Sequence, residues 1–210
     1  MAVTTVTASR AANATAGVIG ISNWLTEARN APEASSTSSF VNPVEFPQGA
    51  AFKVSLAVSR GSTNGQVVRT FLWFEKIETA VGGGTITAAT LKISGSTPAS
   101  SDTTQDSIIV SASAFGGDGN SALALADYSE LSFSDPFSST LTSWTNTDYN
   151  SYTLNSDAIS YMNSNGVLNC AIINENNDFQ GVTPALGAST QSIATITAAI
   201  PVNLVLTYTA

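Results

Sequence analysis

The sequence predicts an all-β protein: an antiparallel sandwich of about eight strands with one short helix and an N-terminal arm. Three observations lead to this prediction. The 210 residues are 43% apolar and only 10% charged, so the chain can bury a sizeable core and is not a charged disordered segment. Apolar and polar residues alternate over several short runs, as they do in half-buried strands. Turn residues separate these runs along most of the chain.

Residues 1–50 differ in composition from the rest of the chain. They contain a polar, serine-rich stretch and three prolines. The run SNWLTEARN predicts one or two helical turns that Ser22 or Asn23 would cap. The runs AVTTVTA and AGVIGI can each form a short strand. We therefore divide the chain into an arm or wrapping segment, residues 1–50, and a sandwich, residues 51–210.

Strand signals are regular from residue 51 onwards. AFKVSLAVS alternates, and the turn RGSTNGQ, in which Asn64-Gly65 suits a hairpin, leads into VVRTFLWFEKI. Further strands are predicted in TITAATLKISGS, SIIVSASAF, VLNCAIINE, SIATITAAI and PVNLVLTYTA. The best helix signal lies in SYTLNSDAISYMNSNG, where Asn155 or Ser156 caps the helix and Gly166 ends it.

The strand at residues 67–74 is unusual because it is apolar on both faces, apart from Arg69 and the threonine that follows. A bare outer face would form a sticky patch. Either the N-terminal segment covers it, or a neighbouring subunit does, or a twist of the strand changes which residues face outward. The candidate interface residues are Trp24, Phe71 and Trp73.

Charge is distributed unevenly along the chain. All seven basic residues lie at or before Lys92, whereas residues 93–210 carry ten acidic residues and no basic one. This half offers no cation to a phosphate backbone, so we expect no nucleic-acid partner. No apolar run approaches the ~18 residues that cross a bilayer, so we expect no membrane partner.

Composition also argues against an enzyme. The chain has no histidine, which excludes histidine-based acid–base chemistry and the usual zinc sites. The acidic residues are scattered through predicted loops, so nothing pairs two carboxylates for glycoside hydrolysis. The single cysteine, Cys170, lies in an apolar run and is predicted to be a small core residue.

Aromatic residues in the polar stretch SWTNTDYNSY are candidates for glycan binding. Exposed Trp and Tyr side chains form the flat platforms on which sugars stack. The candidates are Trp144, Tyr149 and Tyr152, and the alternative is that they belong to the aromatic core that a sandwich of this size needs.

Carboxylates in two loop-like stretches are candidates for a calcium site. Asp118 lies in GGDGN, and Glu175 and Asp178 lie in NENNDF. Carboxylate oxygens are preferred calcium ligands, but the spacing does not match an EF-hand. The alternative is that these residues form turns next to Gly and Asn. Calcium is the one candidate cofactor, and none is required.

Four stretches, taken in their order, resemble a known family. They are RTFLWFEKI, GGGTITAATLKISGS, SWTNTDYNSYTLNSDAISYMNSNGVLNCAIINENNDF and PVNLVLTYT. Together they resemble the DNRLRE-type jelly-roll domains of phage structural proteins and bacterial surface or carbohydrate-binding proteins. The resemblance covers residues 51–210 and implies a jelly-roll-like sandwich with a binding or structural role. Trp73 departs from the pattern, since a polar or basic residue is commoner there.

The expected function is therefore that of a non-enzymatic structural protein of a bacteriophage virion. It would be a capsid decoration, head-fibre, neck or tail component, assembled through its N-terminal arm with the acidic sandwich outward. Its partners would be other virion proteins and further copies of itself, and it would be made in the host cytoplasm without a signal peptide. The alternative is a carbohydrate-binding or adhesin module of a larger extracellular surface protein, with host glycans as partners.

Overall fold

The computed structural model describes residues 1–19, 23–41, 52–60, 64–95, 106–185, 189–196 and 200–210. These residues form an antiparallel β-sandwich, which confirms the predicted fold class. The strands are β1 (Ala2–Thr7), β2 (Arg10–Ile19), β3 (Ser36–Val41), β4 (Phe52–Arg60), β5 (Asn64–Phe74), β6 (Thr85–Ser94), β7 (Ser107–Ala112), β8 (Leu131–Pro136), β9 (Tyr149–Thr153), β10 (Leu168–Asn174), β11 (Ser189–Ile196) and β12 (Asn203–Thr209). The α-helices are α1 (Trp24–Arg29), α2 (Ile77–Ala80) and α3 (Ser156–Asn165).

The strands form two sheets. The smaller sheet has four strands in the order β1-β12-β6-β9. The larger one follows the order β11-β4-β5-β10-β7-β8, with β2 and β3 attached beside β5. The long strand β5 pairs with β2 along residues 64–73, while β4 and β10 divide its opposite edge between them. Most strands of the larger sheet are therefore tied to β5, directly or through one neighbour.

The N-terminal segment contributes strands to both sheets. β1 pairs with β12, at the other end of the chain, and β2 pairs with β5. Only the later part, around α1, wraps over the larger sheet as expected. The strand signal of β2 is weak because its sequence, RAANATAGVI, is rich in alanine, which fits a sheet poorly unless its neighbours are large. The expected boundary between residues 50 and 51 lies outside the described residues.

The two faces of β5 are buried in two different cores. Leu72 and Phe74 point into the core between the sheets, and neither is exposed. Val67, Phe71 and Trp73 point the other way, where they are also buried. A cover layer of α1, residues 113–130 and a π-helical turn at Glu175–Phe179 packs over this outer face. The structure therefore has three layers: the smaller sheet, the larger sheet and the cover layer.

The core between the sheets contains the residues that alternation predicted. Cys170 is fully buried there, as expected, and burial raises the pKa of its thiol. Other members are Ile86, Leu91, Ile93, Ile109, Tyr152, Leu154, Met162, Leu168, Ile172, Leu204 and Leu206.

Helix α3 begins and ends where its sequence predicts. The Asn155 side chain accepts hydrogen bonds from the backbone N–H groups of Asp157 and Ala158, both at 3.1 Å. Gly166 ends the helix in the left-handed conformation, with φ of 67°. The hairpin between β4 and β5 is also present, although Asn64 begins β5 rather than forming the turn.

Strand β8 was not among the predicted strands, and α1 receives no hydrogen bond from the side chain of its N-cap, Asn23. Ser22, the other predicted cap, lies outside the described residues. Both elements are held by packing on the larger sheet. Propensity alone does not reveal elements of this kind.

Gly119 holds part of the cover layer against Trp73. A Cβ atom added to Gly119 would lie 2.2 Å from the Trp73 indole, and the residue has φ of 75°. Gly117, two residues earlier, has nearly the same φ, 77°, but nothing within 4 Å of its added Cβ. The two glycines therefore separate the cost of backbone strain from the cost of displacing the indole.

We expect Gly119→Ala to destabilise the protein more than Gly117→Ala. Both changes place alanine in the left-handed region, at a cost of about 1–2 kcal/mol. Only the first also overpacks the indole, which adds about 1–3 kcal/mol. Urea unfolding followed by tryptophan fluorescence measures both. Equal losses of unfolding free energy would contradict the contact between Gly119 and Trp73.

Candidate functional site

A buried ion pair lies in the middle of the outer face of β5. Arg69 and Asp178 are both fully buried, and the guanidinium meets the carboxylate through two parallel hydrogen bonds. Arg69 Nε donates to Asp178 Oδ2 at 2.8 Å, and Arg69 Nη2 donates to Asp178 Oδ1, also at 2.8 Å. This fork-to-fork geometry is the strongest that such a pair can adopt.

The remaining groups of the Arg69 guanidinium contact the cover layer. Nη1 donates to the Tyr128 carbonyl at 2.8 Å, and Nη2 donates to the Arg29 carbonyl at 2.9 Å. The Tyr128 ring lies against the guanidinium, with its centroid 4.0 Å from the central carbon. The Tyr128 hydroxyl in turn donates to the Ala28 carbonyl in α1. One side chain of β5 thus binds two separate parts of the cover layer.

A second arginine completes the cluster from the side of α1. Arg29 donates from Nε to the Asp178 carbonyl and from Nη2 to the Phe179 carbonyl. The Phe133 ring lies 5.2 Å from the guanidinium carbons of both Arg29 and Arg69. We call Arg29, Arg69, Tyr128, Phe133 and Asp178 the arginine clamp.

Electrostatics favour the charged form of Arg69 in the clamp. Burial alone would lower the pKa of the guanidinium, but the Asp178 carboxylate more than offsets this and raises the pKa above its ordinary value. Burial also raises the pKa of the Tyr128 hydroxyl, which stays protonated and donates its hydrogen bond. Both carboxylate oxygens of Asp178 accept hydrogen bonds from Arg69, so the clamp holds β5 and the cover layer together.

The calcium candidates are not brought together. Asp178 gives both carboxylate oxygens to Arg69, which corrects its assignment as a calcium ligand. Asp118 is exposed and accepts hydrogen bonds from the backbone and side-chain amides of Asn120, which lower the pKa of its carboxyl. Glu175 accepts one from the side chain of Gln180. Across the ranges that the structure describes, no group of three or more Asp, Glu, Cys or His side chains could hold a metal ion.

The three glycan candidates differ in exposure. Tyr152 is 2% exposed, and its hydroxyl lies 2.7 Å from Ser107 Oγ, which makes it a core residue and corrects its assignment. It points inward because it follows Asn150 by two residues along β9, and both face the core. Trp144 is half-buried against the same core, and its indole nitrogen is buried without a hydrogen-bond partner. Tyr149 is 36% exposed.

The three interface candidates are all buried within the chain itself. Trp24 contacts β5 where Gly65 leaves room, since a Cβ there would lie 2.1 Å from its indole. Phe71 and Trp73 lie beneath the cover layer. Of the three alternatives that the sequence left open, the structure shows the first: the protein's own N-terminal segment covers this face, together with residues 113–130.

The outer face of the four-stranded sheet, in contrast, is open. Residues that alternate with the core point away from the sandwich on all four strands, and none is buried. We call them the open face: Val3, Thr5, Thr7, Ala88, Thr90, Lys92, Ser94, Tyr149, Ser151, Thr153, Asn203, Val205 and Thr207. One row across the sheet consists of Thr5, Val205, Thr90 and Thr153.

The chemistry of the open face contrasts with that of the whole chain. The protein has a formal net charge of −8, yet no acidic side chain lies on this face, and Lys92 is its one charged residue. Apart from Ala88, Tyr149 and Asn203, its other side chains are serine, threonine and valine. Such a surface loses little hydration and meets little like-charge repulsion when another surface packs against it.

A small cavity of about 250 Å³ lies where α2, the glycine turn after it and the end of α3 meet. Its floor is apolar, with Ile77, Val81 and Met162, and Glu78 is the one acidic residue in its lining. The amide of Asn163, also in the lining, makes two hydrogen bonds to the backbone of Ile86. One carboxylate without a second titratable group in the lining gives no acid–base pair.

The chain matches no known family model, and no curated protein is significantly similar to it. In the part of the chain that the structure describes, no helix is both long and apolar enough to cross a membrane.

Sequence reasoning missed the arginine clamp. In the sequence, Arg69 interrupts an apolar strand, and Asp178 is a candidate calcium ligand in a loop-like stretch. The signal was nevertheless present. A charged residue in a strand that is apolar on both faces must be paired when it is buried. The pattern therefore predicts an acidic partner for Arg69.

We expect the two halves of the ion pair to be strongly coupled. Asp178→Asn leaves the buried Arg69 charge without its counter-ion and should cost about 3–5 kcal/mol of unfolding free energy. Replacing both partners, in Arg69→Met with Asp178→Leu, should cost less than the Asp178→Asn change alone. A double-mutant cycle in urea measures this coupling. The control is Glu75→Gln, which removes an exposed partner of Lys76 and should change stability little. Additive costs at Arg69 and Asp178 would contradict the coupling.

Proposed function

We propose that this protein is a non-enzymatic structural component of a bacteriophage particle and that it packs onto its neighbours through the open face. The observation that carries this proposal is the contrast between a face of the smaller sheet that has no acidic residue and the acidic character of the chain. Assembly through the open face differs from the expected assembly through an N-terminal arm, because residues 2–19 and α1 are folded into the sandwich.

The three-layer architecture supports a structural role. Both faces are buried at the centre of the larger sheet, along residues 67–74 of β5 and throughout β10, and the arginine clamp fixes the cover layer to β5 at four hydrogen bonds from a single side chain. A protein of this kind offers a rigid body with one open sheet face. Rigid components lose little conformational entropy when they assemble.

The distribution of charge supports a defined orientation. The acidic residues Asp118 and Glu130 lie in the cover layer and Asp135 lies in β8 of the larger sheet, so all three are separated from the open face by the sandwich. With the open face against a particle, the acidic surface points to solvent. Exposed negative charge of this sort keeps a densely decorated surface soluble.

A glycan-binding module is the alternative, and one residue favours it. Tyr149 remains exposed at the border of the open face, beside Ser94 in the neighbouring strand. A single tyrosine with hydroxyl-bearing neighbours can stack on one sugar ring. Glycan-array binding that Tyr149→Ala abolishes would favour this function over assembly.

We expect Val205→Glu to remove the protein from particles of a phage that encodes it. The change places a charge in the centre of the open face, where packing would bury it without a partner. The measurement is the amount of the protein, by mass spectrometry, in gradient-purified particles. The matched control is Val182→Glu, at a valine that is 46% exposed outside the open face, and it should leave the amount unchanged.

Circular dichroism separates loss of the fold from loss of assembly in both variants. Wild-type protein that is abundant in lysates but absent from purified particles would contradict the proposed function.

A further inference from the structure

Strand β1 is an edge strand without the charge, proline or bulge that commonly protects an edge against pairing. It forms one border of the four-stranded sheet, and its sequence, AVTTVT, contains no charged residue and no proline. Its register with β12 is unbroken from Ala2 opposite Tyr208 to Thr7 opposite Asn203, so no bulge twists the edge away. Soluble monomers normally use charge, proline or a bulge to prevent edge-to-edge association.

Two other edges of this protein are protected. Strand β8 contains Asp135 and Pro136, and its register with β7 is irregular. The outer side of the chain just after β9 is closed by an isolated bridge between Leu154 and Ser138. Strands β3 and β11 border residues outside the described ranges. The edge at β1 therefore differs from the edges at β8 and after β9, which are protected against strand pairing.

We propose that β1 pairs with β1 of a second copy of this chain, which forms a homodimer with one continuous eight-stranded sheet. A twofold axis normal to the sheet places two copies of one strand antiparallel, the arrangement that β1 already has with β12. Backbone donors and acceptors of the two edges then satisfy each other, as in other cases of strand addition.

Charge favours a second copy as the partner. Each chain has a net charge of −8, so two copies repel each other at most surfaces. At β1 no like charges meet, because the strand is uncharged and the nearest charge on the open face, Lys92, lies in β6, two strands away. A basic partner, in contrast, would be drawn to the acidic surfaces instead.

The symmetry also restricts the register. Directly opposed residues of neighbouring strands have their side chains on the same face of the sheet. With a twofold axis normal to the sheet, one residue of β1 therefore lies directly opposite its own copy, and the axis runs between these two copies. Near the middle of β1 this residue is Thr4 or Thr5, so one of these faces its own copy.

The first test is the mass of the purified protein in solution. Light scattering after size exclusion should give about twice the mass of the chain for the wild type. The variant Val3→Lys with Thr5→Lys should be monomeric, since it places like charges beside each other across the new pair. Both side chains are exposed on the open face, so the fold should persist, and circular dichroism checks this.

The matched control carries two lysines on the same face at the other border of the sheet. Ser151→Lys with Thr153→Lys changes two exposed residues of β9 and should leave the dimer intact. Loss of the dimer in this control as well would show that the copies meet through the open face, and it would overturn pairing at β1. A wild-type monomer at the highest soluble concentration would also overturn it.

Cysteine cross-linking tests the register without disturbing the charge. Cys170 is fully buried and should not compete for oxidation. Either Thr4→Cys or Thr5→Cys should form a disulfide-linked dimer in air with a copper catalyst, which passes the electrons of the two thiols to dioxygen. The control Thr153→Cys should stay monomeric under the same conditions. Cross-linking at neither Thr4 nor Thr5 would contradict the proposed pair.

This inference is independent of the particle proposal. The dimer is measured on the isolated protein, whereas particle association is measured with Val205→Glu. Dimerisation without particle association, or the reverse, therefore shows which of the two proposals fails.

Discussion

The buried pair of Arg69 and Asp178 is the interaction on which the arrangement of the outer layer depends. A guanidinium at the centre of an apolar sheet face is tolerable only if its charge and its N–H groups are satisfied. Here the carboxylate comes from the turn after β10, and the carbonyls come from α1 and from the segment before β8. The segments that cover the sheet thus supply every hydrogen-bond acceptor that the buried Arg69 guanidinium uses. Specificity of placement follows from this requirement, since an all-apolar face would accept the cover layer in several positions.

The cover layer in turn decides which surface of the sandwich meets the outside. The centre of the larger sheet, at β5 and β10, is buried on both faces, whereas the outer face of the smaller sheet has no buried residue. The N-terminal segment contributes to both sides: β1 forms the border of the open sheet, whereas α1 is part of the cover layer. The outer face of β5 is apolar and covered, whereas the open face of the smaller sheet has no acidic residue and is uncovered. Both proposals for this protein depend on this difference.

Much of the fold could be predicted from local patterns. The strands predicted at β4 to β7 and β10 to β12, the cap at Asn155 and the terminating Gly166 all agree with the structure, and β6 and β12 also show the alternating burial of half-buried strands. Alternation also showed that β5 needed a cover on its second face. The elements that escaped prediction are those whose stability comes from distant neighbours. β2 is alanine-rich because it lies beside Phe71 and Arg69, and this pairing joins residues that are far apart in sequence.

Site residues were harder to predict for the same reason. Exposure of Tyr149, half-burial of Trp144 and burial of Tyr152 follow from the face on which each falls, and a polar stretch does not reveal that face. Asp178 resembled a loop carboxylate because its partner, Arg69, precedes it by more than one hundred residues.

The central claim is that the arginine clamp fixes the cover layer to β5. Hydrogen exchange of Asp178→Asn, compared with the wild type, tests it most directly. The account predicts that amides of α1 and of residues 126–129 lose protection by a larger factor than amides of β6 and β12. An equal loss in all four segments, or unchanged protection in α1, would contradict the claim.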